Sequence, residues 1–98
     1  MTRYRVLAWR GIPMQVKAVQ EGARPVSRLM PPWFGEHVDR VAMRDGLFGS
    51  EAYLEALEWS APLEREGSAE EVADAVLGEL DAQWAAVRRR WEETGELG

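Results

Sequence analysis

The last third of the chain carries a long amphipathic pattern that constrains the fold more than any other feature. From Ala69 to Trp91, apolar residues recur every three or four positions, which is the spacing of one face of an α-helix. Ser68 and Glu71 have the spacing of a capping box, and Gly95 follows where a helix end is expected. The pattern therefore predicts a single amphipathic helix of about 23 residues within 68–94.

The first third of the chain has a different period. Residues 3–30 contain three short runs in which apolar and polar side chains alternate, as they do along a half-buried strand. The runs cover residues 3–10, 14–20 and 26–30, and the breaks between them are "GIP" and "EGARP". Because both connections are short, the pattern predicts an antiparallel β meander.

Between these two parts, residues 31–59 have the signals of two helices. The first has an apolar face from Phe34 to Ala42, and Gly46 is placed to end it. Ser50 is a candidate N-cap for the second helix, and residues 60–67 have the composition of a polar linker. The whole chain is thus predicted to be α+β, with a small three-stranded antiparallel sheet followed by three helices, the last one long.

Length and composition narrow the class of protein. A chain of 98 residues forms one domain, here residues 1–98, with 46% hydrophobic and 30% charged residues. The absence of cysteine excludes a disulfide framework, a thiolate metal site and a cysteine nucleophile. The chain has no run of about 18 apolar residues, which is the length that predicts a membrane-spanning helix. Its first residues also lack the apolar region of a signal peptide. We therefore expect a cytoplasmic protein.

Residues that could carry catalysis are few. The single histidine, His37, has Trp33 and Val41 one helical turn away on either side, and neither is a metal ligand or an orienting group. No glycine-rich segment has the spacing of a phosphate-binding loop. We therefore expect no enzymatic activity, no metal site and no cofactor.

Five tryptophans are many for a chain of this length, and they indicate two candidate contact regions. Trp9, Arg10 and Gln15 lie where the first hairpin could present them to a partner, although core packing of Trp9 is an alternative. Trp84, Val87 and Trp91 lie at the far end of the last helix. That helix is longer than a three-stranded sheet is wide. This end should therefore contact a protein partner or a second copy, as in a homodimer, unless another helix covers it.

DNA binding is a weaker alternative. The strand, helix and helix predicted within residues 25–58 have the element order of ribbon-helix-helix regulators. Pro25, Ser27 and Leu29 would point outward from the strand, and they are not side chains that read bases. The formal net charge is −5, and Arg88–Arg90 suits a helix C-terminus. Specific nucleic-acid binding is therefore not expected. A small-ligand-binding domain is a further alternative.

Three blocks of sequence resemble the bacterial virulence factor domain family. They are "AWRGIPMQV" at 8–16, "RLMP" with Phe34 and "VDRVAM" at 28–43, and "GSEAYL" at 49–54. The family pattern has tyrosine where this chain has Ala8 and aspartate where it has Gly11. The resemblance implies a bacterial accessory protein, found alone or as the C-terminal part of a larger virulence factor, with no catalytic residues. Through the neighbours of such genes, it also implies a link to one-carbon or corrinoid methyl-transfer metabolism.

Overall fold

Five strands and four helices follow one another in the computed structural model, which describes residues 1–47 and 49–95. In chain order they are β1 (Thr2–Trp9), β2 (Ile12–Gln20), β3 (Val26–Leu29), α1 (Pro32–Arg44), α2 (Glu51–Glu55), β4 (Leu57–Trp59), β5 (Leu63–Arg65), α3 (Ala69–Gln83) and α4 (Ala85–Thr94). All recorded strand pairs are antiparallel. The predicted α+β class with an antiparallel sheet is therefore confirmed, and the number of elements is not.

The sheet is built around β1. This strand pairs along its whole length with β2, and β3 pairs with the far edge of β2, which is the predicted meander. The opposite edge of β1 pairs with two short strands, β4 near the hairpin end and β5 near the N-terminus. Residues 57–59 were predicted to end a helix and residues 63–65 to lie in a linker, and both predictions were wrong. These segments instead hydrogen-bond to backbone groups of β1 that an open edge would leave unpaired.

The helices pack on one face of this sheet. α3 crosses β1, β2 and β3, and α1 lies against β2. Alternate strand residues such as Val16 and Ala18 point toward the helices and share one core cluster with Val72 and Val76 of α3, and Tyr4 packs against this cluster. The apolar faces of the strands and of the helices therefore share one core.

Helix ends follow the predicted local signals. The Ser68 hydroxyl accepts a hydrogen bond from the Glu71 backbone N–H at 3.1 Å, and the Glu71 carboxylate accepts one from the Ser68 N–H at 3.2 Å. This confirms the capping box. Gly46 follows α1 with a φ of 69°, and the N–H of Leu47 donates to the Ala42 carbonyl at 2.8 Å. That geometry is a Schellman motif, so Gly46 ends the helix as predicted.

The long helix predicted over 68–94 is interrupted. Trp84 has helix-breaking dihedral angles, φ −96° and ψ 1°, and it separates α3 from α4. Trp91, which lies on α4, contacts Arg40 of α1, so packing of α4 on α1 accompanies the break. The sequence carries no glycine or proline at this point that would have predicted it. Within the described parts of the chain, no helix is both long and apolar enough to cross a membrane.

Candidate functional site

The structure places Trp9 in the core. Its side chain is fully buried, with 0% exposure. The indole Nε1 donates a hydrogen bond to the Tyr53 carbonyl oxygen at 2.7 Å, and the two rings lie 5.5 Å apart between centroids. A buried indole needs such an acceptor, and this one belongs to α2. Trp9 therefore attaches α2 to the end of β1, and its ring is not available to a partner in this arrangement.

Arg10 lies at the tip of the β1–β2 hairpin and is exposed. Arg10 and Gly11 have φ values of 48° and 85°, which is the pattern of a two-residue type I′ turn. The Arg10 guanidinium Nη1 donates to Asp45 Oδ2 at 2.7 Å. Hydrogen bonds from Arg44 and Arg10 hold the pKa of the Asp45 carboxyl below its usual range. Arg10 is therefore occupied by an ion pair within its own chain.

Gln15 belongs to a different surface from Trp9 and Arg10. It lies on β2 between Leu7 of β1 and Leu29 of β3, which are its cross-strand partners. Leu7 has Trp59 of β4 as its partner on the other side. Cross-strand partners share one face of a sheet, so these four residues form a row across it. The structure therefore separates the three predicted contact residues among the core, the hairpin tip and a sheet face.

Among residues 1–47 and 49–95, no helix packs on the sheet face opposite α3, and we call this face the open face. It comprises the row just described together with the other outward-facing residues of β1, β2 and β3. Its members are Arg3, Arg5, Leu7, Gln15, Lys17, Val19, Ser27, Leu29 and Trp59. Leu29 is 76% exposed, Val19 43% and Trp59 39%. The open face thus combines exposed apolar side chains with basic ones.

Two cations lie directly opposite each other on the open face. Arg5 and Lys17 are cross-strand partners, and both side chains are exposed. Neither has an ion pair with any acidic residue in the described parts of the chain, whereas Arg3 contacts Glu64 at 3.6 Å. Like charges that face each other across strands destabilise a sheet. Arg3, Arg5 and Lys17 line a shallow hollow of about 350 Å³ together with Val19 and Pro62.

Charge is unevenly distributed along the chain, and the open face lies in its basic part. Residues 1–44 contain eight of the 12 basic residues and three acidic ones. Residues 45–83 contain eleven of the 17 acidic residues and one basic residue, Arg65, which donates to Glu79 at 3.0 Å. The open face is therefore a basic surface on a protein whose formal net charge is −5.

The second predicted contact region, Trp84, Val87 and Trp91, packs against the same chain. All three side chains are half-buried and contact the core cluster. The Arg40 guanidinium lies 3.7 Å from the centre of the Trp91 ring, a cation–π geometry. In this structure α1 therefore supplies much of the cover that the sequence analysis assigned either to another helix or to a partner.

His37 lies at the centre of this aromatic region. Its ring stacks on Trp33 at 4.8 Å, nearly parallel, and meets Trp84 edge-on at 5.8 Å. Burial, with help from the charges of Arg40 and Arg44, holds the pKa of His37 below its ordinary value. Its Nδ1 has no hydrogen-bond partner in the described structure. The arrangement favours a neutral histidine that acts as a packing residue.

The geometry does not provide the strand that a ribbon-helix-helix regulator requires. In such proteins the strand before the two helices pairs with its copy across a dimer. Here the corresponding strand, β3, pairs with β2 of the same chain. The second helix, α2, has only five residues.

The open face as a unit was not predicted from the sequence. The signal was present in the alternation of Arg3, Arg5 and Leu7 on β1 and of Gln15, Lys17 and Val19 on β2. Only the register of the hairpin, which includes a bulge after Leu7, shows that Arg5 faces Lys17.

Comparison with known proteins gives one finding. A family model described as "Virulence factor" matches residues 7–91 of the chain. No curated protein and no solved structure matches the chain significantly.

Proposed function

The chain belongs to the virulence factor family, and from that premise we propose that it is a non-enzymatic accessory protein that binds a protein partner through the open face. The proposal places the protein in the bacterial cytoplasm. From the family resemblance we also propose a role in one-carbon or methyl-transfer metabolism.

The single observation that carries this function is the row across the open face, whose two ends, Trp59 and Leu29, are exposed and whose middle residues are half-buried. Trp59, Leu7, Gln15 and Leu29 lie side by side on four strands, and Leu29 is 76% exposed. Contiguous apolar surface beside polar and charged residues is typical of an interface. Gln15, one of the predicted contact residues, lies within this row, so the proposal keeps it as a contact residue.

A binding role also agrees with where the titratable groups lie. His37 is enclosed by aromatic rings, and the hairpin-tip arginine is paired with Asp45. Neither arrangement presents a base or a nucleophile to a substrate. The proposal therefore assigns recognition, and no bond-forming step, to this chain.

A comparison of two leucine variants tests the proposal. Leu29→Ser removes an exposed apolar side chain from the open face, and Leu54→Ser removes one of similar exposure, 66%, from α2. Each variant and the wild type would be immobilised and exposed to extract from the source bacterium. Quantitative mass spectrometry would then compare the retained proteins.

We expect Leu29→Ser to lose at least one protein that both the wild type and Leu54→Ser retain. Circular dichroism should show that both variants stay folded, because neither leucine is buried. If Leu29→Ser retains the same proteins as the wild type, the open face is not the binding surface and the proposal is wrong.

A further inference from the structure

The facing cations Arg5 and Lys17 need an explanation that folding does not supply. They are in register on adjacent strands, and no acidic residue of the described chain pairs with either one. Acidic side chains are abundant elsewhere, since the chain has 17 of them. An acidic residue at either position would form a favourable cross-strand pair at that point. The pair therefore costs stability, and an external anion would offset that cost.

We propose that the open face binds an acidic, leucine-containing segment of a partner protein, with a carboxylate of that segment between Arg5 and Lys17. The inference rests on the proposed function and names the chemistry of its partner. The cations attract carboxylates, and the neighbouring row of Leu7, Leu29 and Trp59 accepts apolar side chains of the same segment. An amphipathic helix or strand carries both kinds of side chain on one face.

Charge and ring content favour a polypeptide over a nucleic acid. The protein as a whole has a formal net charge of −5 and repels a long polyanion. Sheets that bind single-stranded nucleic acids commonly stack bases on two or three aromatic rings. The apolar row of the open face offers one ring, Trp59, beside the aliphatic Leu7 and Leu29. A polypeptide with few, spaced carboxylates fits this surface better.

Peptides of defined charge test the inference with the whole 98-residue chain. The probe is a fluorescein-labelled amphipathic peptide of leucine and glutamate, and the matched peptide has glutamine in place of each glutamate. Labelled oligo-dT serves as the nucleic-acid probe. Fluorescence anisotropy would be measured for the wild type, Lys17→Glu, Arg5→Glu and the control Arg89→Glu. Arg89 is exposed on α4, and the control makes the same change in net charge away from the sheet.

We expect the wild type to bind the glutamate peptide more tightly than the glutamine peptide, with an affinity that falls as salt rises. Lys17→Glu and Arg5→Glu should each weaken binding about tenfold, and Arg89→Glu should not. Lys17→Glu should also raise the melting temperature, because Arg5 then gains an opposite charge. A merely structural lysine would not show this combination of weaker binding and greater stability.

Three results of the anisotropy experiment would overturn the inference. They are equal affinity for the two peptides, equal loss with Arg89→Glu, and oligo-dT binding that depends on Lys17 more strongly than peptide binding does. Sedimentation compares self-association of the wild type with that of Lys17→Glu. If the wild type self-associates and Lys17→Glu does not, a second copy of the chain occupies the open face, and that result also overturns the inference. If Leu29→Ser loses its partner while the charge variants keep theirs, the proposed function stands and the inference fails.

Discussion

The indole Nε1 of Trp9 donates a hydrogen bond to the backbone carbonyl of Tyr53 at 2.7 Å, across 44 residues of sequence. This bond and the contact between the two rings attach α2 to the last residue of β1. Because Trp9 is fully buried, it has no alternative hydrogen bond to water. The sequence left Trp9 open between core packing and a contact surface, and in the structure it is a core residue that links two elements.

Replacing Trp9 with phenylalanine should therefore destabilise the fold. The smaller ring leaves a cavity and removes the hydrogen bond to Tyr53, and the cost should be about 2 kcal/mol in the free energy of unfolding. Urea denaturation followed by circular dichroism measures it. Trp59→Phe is the matched control, because Trp59 is 39% exposed and should lose less than about 0.5 kcal/mol. Equal losses for the two variants would contradict the placement of Trp9.

The hairpin tip makes a second prediction, because Arg10 has a φ of 48°. This conformation costs a residue other than glycine, asparagine or aspartate about 1 kcal/mol. The exposed ion pair with Asp45 offsets less than that. Arg10→Asn should therefore match or exceed the wild type in stability, and Arg10→Ala, which keeps the strain and loses the ion pair, should be less stable. Thermal melts that rank alanine above asparagine would exclude the type I′ turn.

Local signals in the sequence predicted the antiparallel meander and two helix ends. The β1–β2–β3 meander, the Gly46 helix end and the Ser68 cap depend on residues within a few positions of one another. β4 and β5 could not be predicted in this way, because three-residue strands form only where the edge of β1 is available to pair with them. The facing of Arg5 and Lys17 likewise requires the hairpin register.

Side-chain burial was harder to predict than secondary structure. Trp9 ends a strand whose two faces have similar composition, and its cover comes from α2, far along the chain. The break at Trp84 has no glycine or proline to announce it, and its packing partners Phe34 and His37 lie on α1. In both cases a tertiary contact, rather than local propensity, decides the position of the tryptophan.

The capping box at the start of α3 makes a third prediction. Ser68→Ala removes the acceptor for the Glu71 backbone N–H and leaves that donor without its partner at the helix start. The free energy of unfolding should fall by about 1 kcal/mol. Chemical denaturation of Ser68→Ala measures this, with Ser27→Ala on the exposed side of β3 as the control. A loss of similar size in the control would show that the cap has no special contribution.

Trp84 makes a fourth prediction, because its ring packs edge-on against both Phe34 and His37. Trp84→Ala should lower the free energy of unfolding by about 2 kcal/mol, less than for a fully buried tryptophan. Trp91→Ala should lose about 1 kcal/mol, mainly through the contact with Arg40. Sedimentation at several concentrations is the companion measurement. A self-association that Trp84→Ala weakens without loss of stability would show that this region is an interface between copies.

The last prediction concerns acid and His37, whose pKa is lowered by burial and, to a smaller extent, by Arg40 and Arg44. A histidine with a lowered pKa in the folded state binds fewer protons there than in the unfolded state. Its contribution to stability is therefore complete above the ordinary value of 6.5 and is lost as the pH falls below it.

His37→Phe keeps an aromatic ring against Trp33 and cannot titrate. The loss of stability between about pH 7.5 and about pH 5.5 should be smaller in this variant than in the wild type. Urea denaturation at both pH values measures the difference. Asp45 and Glu79, whose carboxyl pKa values are held low by arginines, contribute only at more acidic pH. Equal pH dependence in the two proteins would show that His37 is not buried in its neutral form.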